Sequence, residues 1–449
     1  MGWFGIICNN NSGEAMRKVL IIANLFHASP RIPGLTNYLQ DFGWRVTIIS
    51  PPLGNDAEIL LGFPKGFIEG TKILEAPYPG DIFWYWRKIF YHLGYKMNES
   101  ITEQIKERIG ETSKRSFIDI GMNWYQTIFA YPDTERTWKQ PALKTATDIL
   151  NKEHFNAILS SSPFPTSHIV ASKIKKRFEL PWLADFRDPW TQNHNYSFGF
   201  IRKHFETKLE LQTLSGADTM TAASPEYAKK QEQLHKRSTT VITNGFELES
   251  VNNSPVHLTD KFTITYTGAI YTGKQYPEKF INVVQGLIFE GIIKPNDIEV
   301  RFYGPKQNWL KDIIISRGLV DVVKQYGTVS RYEAWQKQRE SHILLLLNWE
   351  DPKEGGVYPL KFFEYLAACR PILASGGFPR DDMKEIVVKT KAGVYATTID
   401  EIKMSILNFY EQYKRTGSAS YNGDLKEIKK YSYPEIAKKL ADILNQMAG

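Results

Sequence analysis

Short apolar runs of strand length alternate with stretches of helical spacing along most of the chain. Lys18-Val-Leu-Ile-Ile-Ala23 is the first such run; a loop leads from Asn24 to Gly34, Leu35 to Phe42 has helical spacing, and Trp44-Arg-Val-Thr-Ile-Ile-Ser50 follows. This opening predicts a βαβ unit of a parallel sheet with a crossover helix, closed at the helix C-cap by Gly43. The middle of the first half is less regular, and the alternation then resumes. It predicts strands over 157–160, 182–186, 219–222 and 240–242, with helices over 167–178 and from about Arg202 to Leu214, ending at Thr243-Asn-Gly-Phe246.

After a polar stretch from Glu247 to Asp260 the same alternation begins again, with strands expected over 262–267, 299–303, 322–326, 343–347 and 371–374. Helices over 277–289, 308–317, 332–339 and 360–368 separate them. A chain of 449 residues suits two domains better than one core. The expected fold class is therefore α/β, two doubly wound Rossmann-like domains, over residues 16–245 and 246–430. Residues 431–449 form a closing amphipathic helix, and residues 1–15 are an extension ahead of Met16-Arg-Lys18, where the first strand begins.

Composition narrows the class. With no apolar run long enough to span a bilayer, and no charged lead before the short apolar stretch Trp3 to Cys8, the expectation is a cytoplasmic protein. Cys8 and Cys369, the only cysteines, are far apart and suit a reducing compartment. The net charge of +7 suits phosphorylated ligands, an anionic membrane surface or nucleic acid. No aromatic RNA-binding motif, zinc finger or helix-turn-helix signature supports nucleic acid. Residues 81–96, rich in aromatic rings beside Lys and Arg, read either as a buried helix or as a peripheral contact with the inner membrane surface or an acceptor.

Open α/β sheets bind ligands beyond the carboxyl ends of their strands, where helix N-termini offer bare N–H groups to anions. In the second half these loops include Gly268 to Lys274, Gly304-Pro305, Gly327 to Arg331 and Asn348 to Pro359. Within the last, Gly355 and Gly356 permit close backbone approach, and Lys361 falls in the first turn of the next helix, where a cation is disfavoured unless an anion neutralises it. Glu364, one turn on, either accepts hydrogen bonds from a ribose diol or pairs with Lys361 on an exposed face. In the first half, His168 opens a helix after a Pro-rich loop and is a candidate substrate contact, while Asp185, Arg187 and Asp188 after a buried strand form either a supporting network or direct contacts.

Lys361-Phe-Phe-Glu-Tyr-Leu-Ala-Ala-Cys-Arg-Pro-Ile-Leu-Ala374 resembles the donor-binding signature of glycosyltransferase family 4, the retaining enzymes of the GT-B fold, in the branch written K-x-F-E-Y-L-A-A-G-R-P-I-L-A. Ser160-Ser-Ser-Pro-Phe-Pro-Thr-Ser-His168, Ala184-Asp-Phe-Arg-Asp-Pro-Trp-Thr191, Thr243-Asn-Gly-Phe246 and Tyr266-Thr-Gly-Ala-Ile-Tyr-Thr-Gly-Lys274 fall in family order. The resemblance implies two domains facing across a cleft, with the last helix returning to the first domain. It also implies a nucleotide diphosphate sugar as donor, no permanently bound cofactor and no required metal, and a glycan or lipid-linked acceptor in cell-surface polysaccharide synthesis.

By the same resemblance Glu364 binds the donor ribose, Lys361 and Lys274 neutralise the departing diphosphate, and Gly34 with Arg31 stands where a glycine-rich loop covers the phosphates. Gly268, Gly304 and Gly356 belong to the donor-binding loops, and His168 and Glu354 to the catalytic set. The sequence departs from the family pattern where a first Glu is expected eight positions before Glu364: that position is Gly356, with Glu354 two residues earlier. Ala269-Ile-Tyr271 replaces the usual Arg ahead of Lys274, and Cys369 replaces the usual helix-ending Gly. Asp381-Asp382 reads as a surface turn rather than a metal-holding pair. A nucleotide-sugar 2-epimerase on the same scaffold and a non-catalytic sugar-nucleotide or glycan-binding protein are the rival readings.

Overall fold

The structure, a computed structural model, describes residues 16–28, 30–53, 67–78, 130–251 and 256–449. Residues 1–15, with Cys8, and the segment 81–96 lie outside the described residues. The first sheet has seven strands: β1 Arg17–Ile22, β2 Trp44–Ser50, β3 Lys72–Glu75, β4 Ala157–Ser161, β5 Trp182–Phe186, β6 Thr219–Ala222 and β7 Thr240–Val241, in the order 3-2-1-4-5-6-7. The second has six: β8 Phe262–Thr267, β9 Ile298–Tyr303, β10 Val323–Gly327, β11 Ile343–Leu347, β12 Ile372–Ser375 and β13 Gly393–Ala396, in the order 10-9-8-11-12-13. All neighbouring strands are parallel.

Parallel strands covered by helices on both faces read as continuous apolar runs. This explains why β4, β5, β8 and β11 are buried at every position and why their places were legible from hydrophobicity. In each sheet the strand order reverses once, between β1 and β4 and between β8 and β11. A crevice opens at the carboxyl ends at such a switch point.

The last helix, Tyr433–Ala448, leaves the second domain and packs on the first: Tyr433, Ile436, Leu440 and Leu444 share a core with Val19, Leu35, Leu39 and Trp44. The chain crosses between the domains at two adjacent points. Phe246 N–H donates to the Tyr431 carbonyl at 3.3 Å, and Tyr433 N–H donates to the Phe246 carbonyl at 2.9 Å.

Two details differ from the pattern-based reading. The first crossover is a helix over Arg31–Asn37 followed by a 3-10 turn over Leu39–Phe42, not one helix over 35–42. Pro33 falls in its first turn, where no N–H is needed, so the helix starts earlier than its apolar spacing suggests. Gly43 ends the turn with φ 82 as expected, and Cys369 takes φ 54 at the end of its helix. Asp381 is no surface turn: it caps the helix Asp382–Thr390, accepting from Met383 N–H, and Asp382 accepts from Glu226 N–H of the first domain at 3.0 Å. Among the described residues no helix is long and apolar enough to cross a membrane.

Candidate functional site

A cleft of about 740 Å³ lies where the carboxyl edges of the two sheets face each other. Its walls are the loops after β4 (Pro163, Phe164), β5 (Arg187, Asp188) and β7 (Asn244) on one side, and after β8 (Ala269, Tyr271) and β11 (Trp349, Tyr358) on the other, with Lys361 at its edge.

The helix Leu360–Ala368 packs Phe362, Phe363, Tyr365 and Leu366 into a core of the second domain, and its first residues, Leu360 and Lys361, line this cleft. Pro359, extended at φ −66 and ψ 140, stands just outside it. The ammonium of Lys361, in the first turn, lies 3.9 Å from the centre of the Tyr266 ring, donates to the Tyr266 hydroxyl, and reaches the Ala269 carbonyl at 3.4 Å. Two glycines make room for it. A Cβ on Gly268, whose φ is +99, would stand 3.0 Å from the Lys361 Nζ, and one on Gly304, whose φ is +153, would meet the Gly268 carbonyl oxygen at 2.3 Å. Loss of surrounding water pushes the Lys361 ammonium down to about 7, against the pull of Glu364. An anion arriving here would restore its charge.

Glu364 does not pair with Lys361 along its own helix. Its carboxylate accepts from Arg331 Nε at 3.0 Å, reaching the loop after β10. Lys274 donates to Glu354, and its Nζ lies 5.4 Å from the centre of the Trp349 ring. Trp349 meets Tyr271 at 5.7 Å and the edge of His194 at 4.4 Å, and His194 Nδ1 lies 2.9 Å from the Tyr227 hydroxyl. Burial pushes His194 down to about 4, so the ring is neutral near pH 7. Aromatic contact thus runs across the cleft from one domain to the other.

Lys361, Gly268 and Gly304 are brought together, Glu364 joins them through Arg331, and Lys274 and Glu354 form a second pair beside the cleft wall. Three expected residues go elsewhere. Gly34 does not border the cleft: a Cβ there would fall 2.4 Å from the Tyr433 ring, so its function is to seat the returning helix. Gly356, at φ +91, meets the first domain rather than a ligand; its carbonyl accepts from Ser224 Oγ at 2.7 Å, and a Cβ would fall 2.9 Å from Glu226. His168 is 1% exposed beneath the cleft, its Nδ1 2.8 Å from Ser160 Oγ and its ring 4.8 Å from that of Phe186. Burial pushes it down to about 4. Helical spacing turns it inward, since His168 shares the buried face of the helix Pro165–Phe178 with Ala171 and Ser172, three and four positions on.

Arg31 and Asp185 of the first domain are committed to structure. Arg31 donates to both carboxylate oxygens of Asp185, at 2.8 and 3.2 Å, and to the carbonyls of Ile242 and Thr243. Ser161 and Thr221 hydroxyls complete the Asp185 shell, and these contacts hold the carboxyl below its usual range despite burial. Arg187 and Asp188 do line the cleft. Sequence reasoning missed Arg331, Trp349, Tyr266 and His194 as site residues. Arg331 and Trp349 lie in strand-end loops already singled out, so position relative to strand ends was the available signal.

The class defined by this architecture is the two-domain Rossmann-like GT-B fold, with the site at the facing strand ends. No family model matches the chain, and no curated protein matches its sequence. Among solved structures, a sucrose-phosphate synthase from Thermosynechococcus elongatus superposes with a TM-score of 0.58 at 11% identity, covering 96% of this chain and 98% of that one. HepE of Anabaena, solved with UDP-glucose, gives 0.58 at 12% identity over 96% and 99%. A UDP-N-acetylglucosamine 2-epimerase gives 0.52 at 11% identity over 96% of each. At these identities the likeness establishes the fold and leaves the chemistry to the site.

Proposed function

We propose that the protein is a retaining glycosyltransferase that moves a sugar from a nucleoside diphosphate donor to a glycan or lipid-linked acceptor in cell-surface polysaccharide synthesis. The observation that carries this reading is the desolvated Lys361 ammonium, held between two glycine loops at the start of a nine-residue helix on the cleft. In the reaction the bond from the anomeric carbon to the donor phosphate oxygen breaks and a bond to the acceptor oxygen forms. The acceptor proton passes to the departing diphosphate. Negative charge grows on that diphosphate, so Lys361, Lys274 and the first-turn amides stabilise the transition state more than the bound donor. Glu364, oriented by Arg331, accepts from the ribose hydroxyls. Retention follows the family resemblance.

Incubation with radiolabelled uridine, guanosine and adenosine diphosphate sugars tests this. Transfer of label to a glycan or lipid extract with release of the nucleoside diphosphate is the expected outcome. A new isomeric nucleotide sugar would instead favour the epimerase reading that shares this fold, and binding without turnover would favour a non-catalytic sugar-nucleotide protein.

A further inference from the structure

Two segments of the second domain meet beside the cleft: the loop after β8 with the helix Pro277–Phe289 that follows it, and the loop after β11. They are fastened twice without Lys274. Gln275 Nε2 donates to the Leu347 carbonyl at 2.6 Å in a buried setting, and Lys279 pairs with Glu350 at 2.6 Å. The second loop is also held from the first domain, where Lys230 Nζ donates to the Gly355 carbonyl at 3.1 Å and Ser224 Oγ to that of Gly356 at 2.7 Å. The pair Lys274–Glu354 is therefore not what keeps these segments together.

Its partner sets Lys274 apart from Lys361. Lys361 donates to a hydroxyl and a carbonyl, both neutral. Lys274 already has an anion, because Glu354, at the end of the 3-10 turn Pro352–Glu354, brings a carboxylate onto it. The two ammonium groups flank one stretch of the cleft: Lys361 reaches the Ala269 carbonyl, and Lys274 stands over Trp349, the ring that meets Tyr271. Ala269, Tyr271 and Trp349 all line the cleft. A ligand with one phosphate is neutralised at Lys361, whereas a second phosphate along this stretch meets Lys274 and its accessible carboxylate partner.

We propose that Glu354 is a resident counter-ion that competes with the second phosphate for Lys274 and speeds release of the nucleoside diphosphate product. This rests on the glycosyltransferase reading of the site. When the bond from the anomeric carbon breaks, the bridging oxygen and its electron pair stay with the diphosphate. The proton taken from the acceptor is then lost to solvent, because a terminal phosphate ionises near pH 6. The product thus carries one more negative charge than the donor, and the same cations hold it more tightly. Glu354 reclaims Lys274 as the product leaves, so the ammonium keeps an anionic partner throughout and departure costs less. A pair this accessible contributes little to folding, which leaves its charge free for that exchange.

Calorimetry and stopped-flow dissociation on the full chain, with uridine, guanosine and adenosine diphosphates and the matching monophosphates, test this. Glu354→Gln keeps the shape of the side chain and removes its charge. It should tighten diphosphate binding about fivefold through slower dissociation and leave monophosphate binding unchanged. Glu350→Gln, at the fastening pair, should alter neither. In a Lys274→Met background most of the Glu354→Gln gain should vanish, a coupling that a structural role for the loop would not produce. Diphosphate binding no tighter than the parent's in folded Glu354→Gln, an equal gain with monophosphates, or the full gain persisting without Lys274 would each overturn the counter-ion role while the site assignment stands. Binding of none of the three diphosphates by parent or variant would overturn the glycosyltransferase reading and this inference with it.

Discussion

The two walls of the cleft share one architecture and treat charge in opposite ways. On the second-domain side the ion pairs are part-exposed: the side chains of Lys274 and Glu354 are 31% and 17% accessible, and those of Arg331 and Glu364 are 37% and 20%. On the first-domain side Arg31 and Asp185 are 1% and 4% accessible, and Arg202 and Glu206 are 5% and 1%. An accessible pair contributes roughly 0–1 kcal/mol and exchanges partners readily. A buried pair persists because removing either member strands the other. The second-domain wall therefore keeps cations that an incoming anion can take over, whereas the first-domain wall holds these two pairs as framework and presents the part-exposed Arg187 and Asp188, 30% and 28% accessible, among prolines and aromatic rings.

The comparison can be broken most forcefully at the buried pair. Asp185→Ala leaves Arg31 without its carboxylate and is expected to cost about 3–5 kcal/mol of stability, read by chemical denaturation; a loss as small as that of a surface pair would erase the contrast between the walls. Next in size, Lys361→Met should slow transfer by roughly 10²–10³-fold while the protein stays folded. Single-turnover rates check this, and an unchanged rate would remove the leaving-group role.

Lys361 also carries a pH signature. Its folded value of about 7 lies below the roughly 10.4 of an unfolded lysine, so between these limits the unfolded chain holds a proton that the native one lacks. The resulting destabilisation is fully present below pH 7 and is relieved as pH rises through this window. Lys361→Met should flatten that dependence. Nucleoside diphosphate binding near pH 8 should take up protons, measurable by calorimetry in buffers of different ionisation enthalpy, and zero uptake would mean the ammonium was already charged.

Glu364→Ala should weaken nucleoside diphosphate binding about 10- to 100-fold, since charge-assisted hydrogen bonds contribute about 1.5–3 kcal/mol; calorimetry showing unchanged affinity would dismiss the ribose assignment. The smallest catalytic effect is expected at His168. His168→Gln should lower the melting temperature but change the transfer rate by less than about threefold, because the ring lies behind the wall, packed and hydrogen-bonded to Ser160 rather than open to the cleft. A large rate loss in a folded variant would return His168 to the catalytic set.

Much of the fold was readable because buried parallel strands and amphipathic helices leave strong local signals. The bounds of β5, β6, β8 and β11 and of the helices Pro277–Phe289 and Leu360–Ala368 match the pattern. β3 and the helix Lys139–Leu150 were not anticipated, lying beside or within the stretch where the alternation fades. At the site, Lys361 and the glycines of the β8 and β9 loops were legible from their place after strand ends, and the Glu364 partner was not, since Arg331 lies 33 residues away.

By itself the sequence determined the alternation of strands and helices, the two-sheet architecture and the lysine in the first turn of the helix Leu360–Ala368, because each depends on residues within a few positions of one another. Only the tertiary structure decided that Gly34 seats Tyr433, that Arg31 belongs to Asp185, that His168 faces the core and that Arg202, Glu206 and Glu210 of the helix Phe200–Leu214 are buried. Those outcomes rest on contacts between residues as much as 399 positions apart, and burial and pairing at that range leave no periodicity in the chain to read.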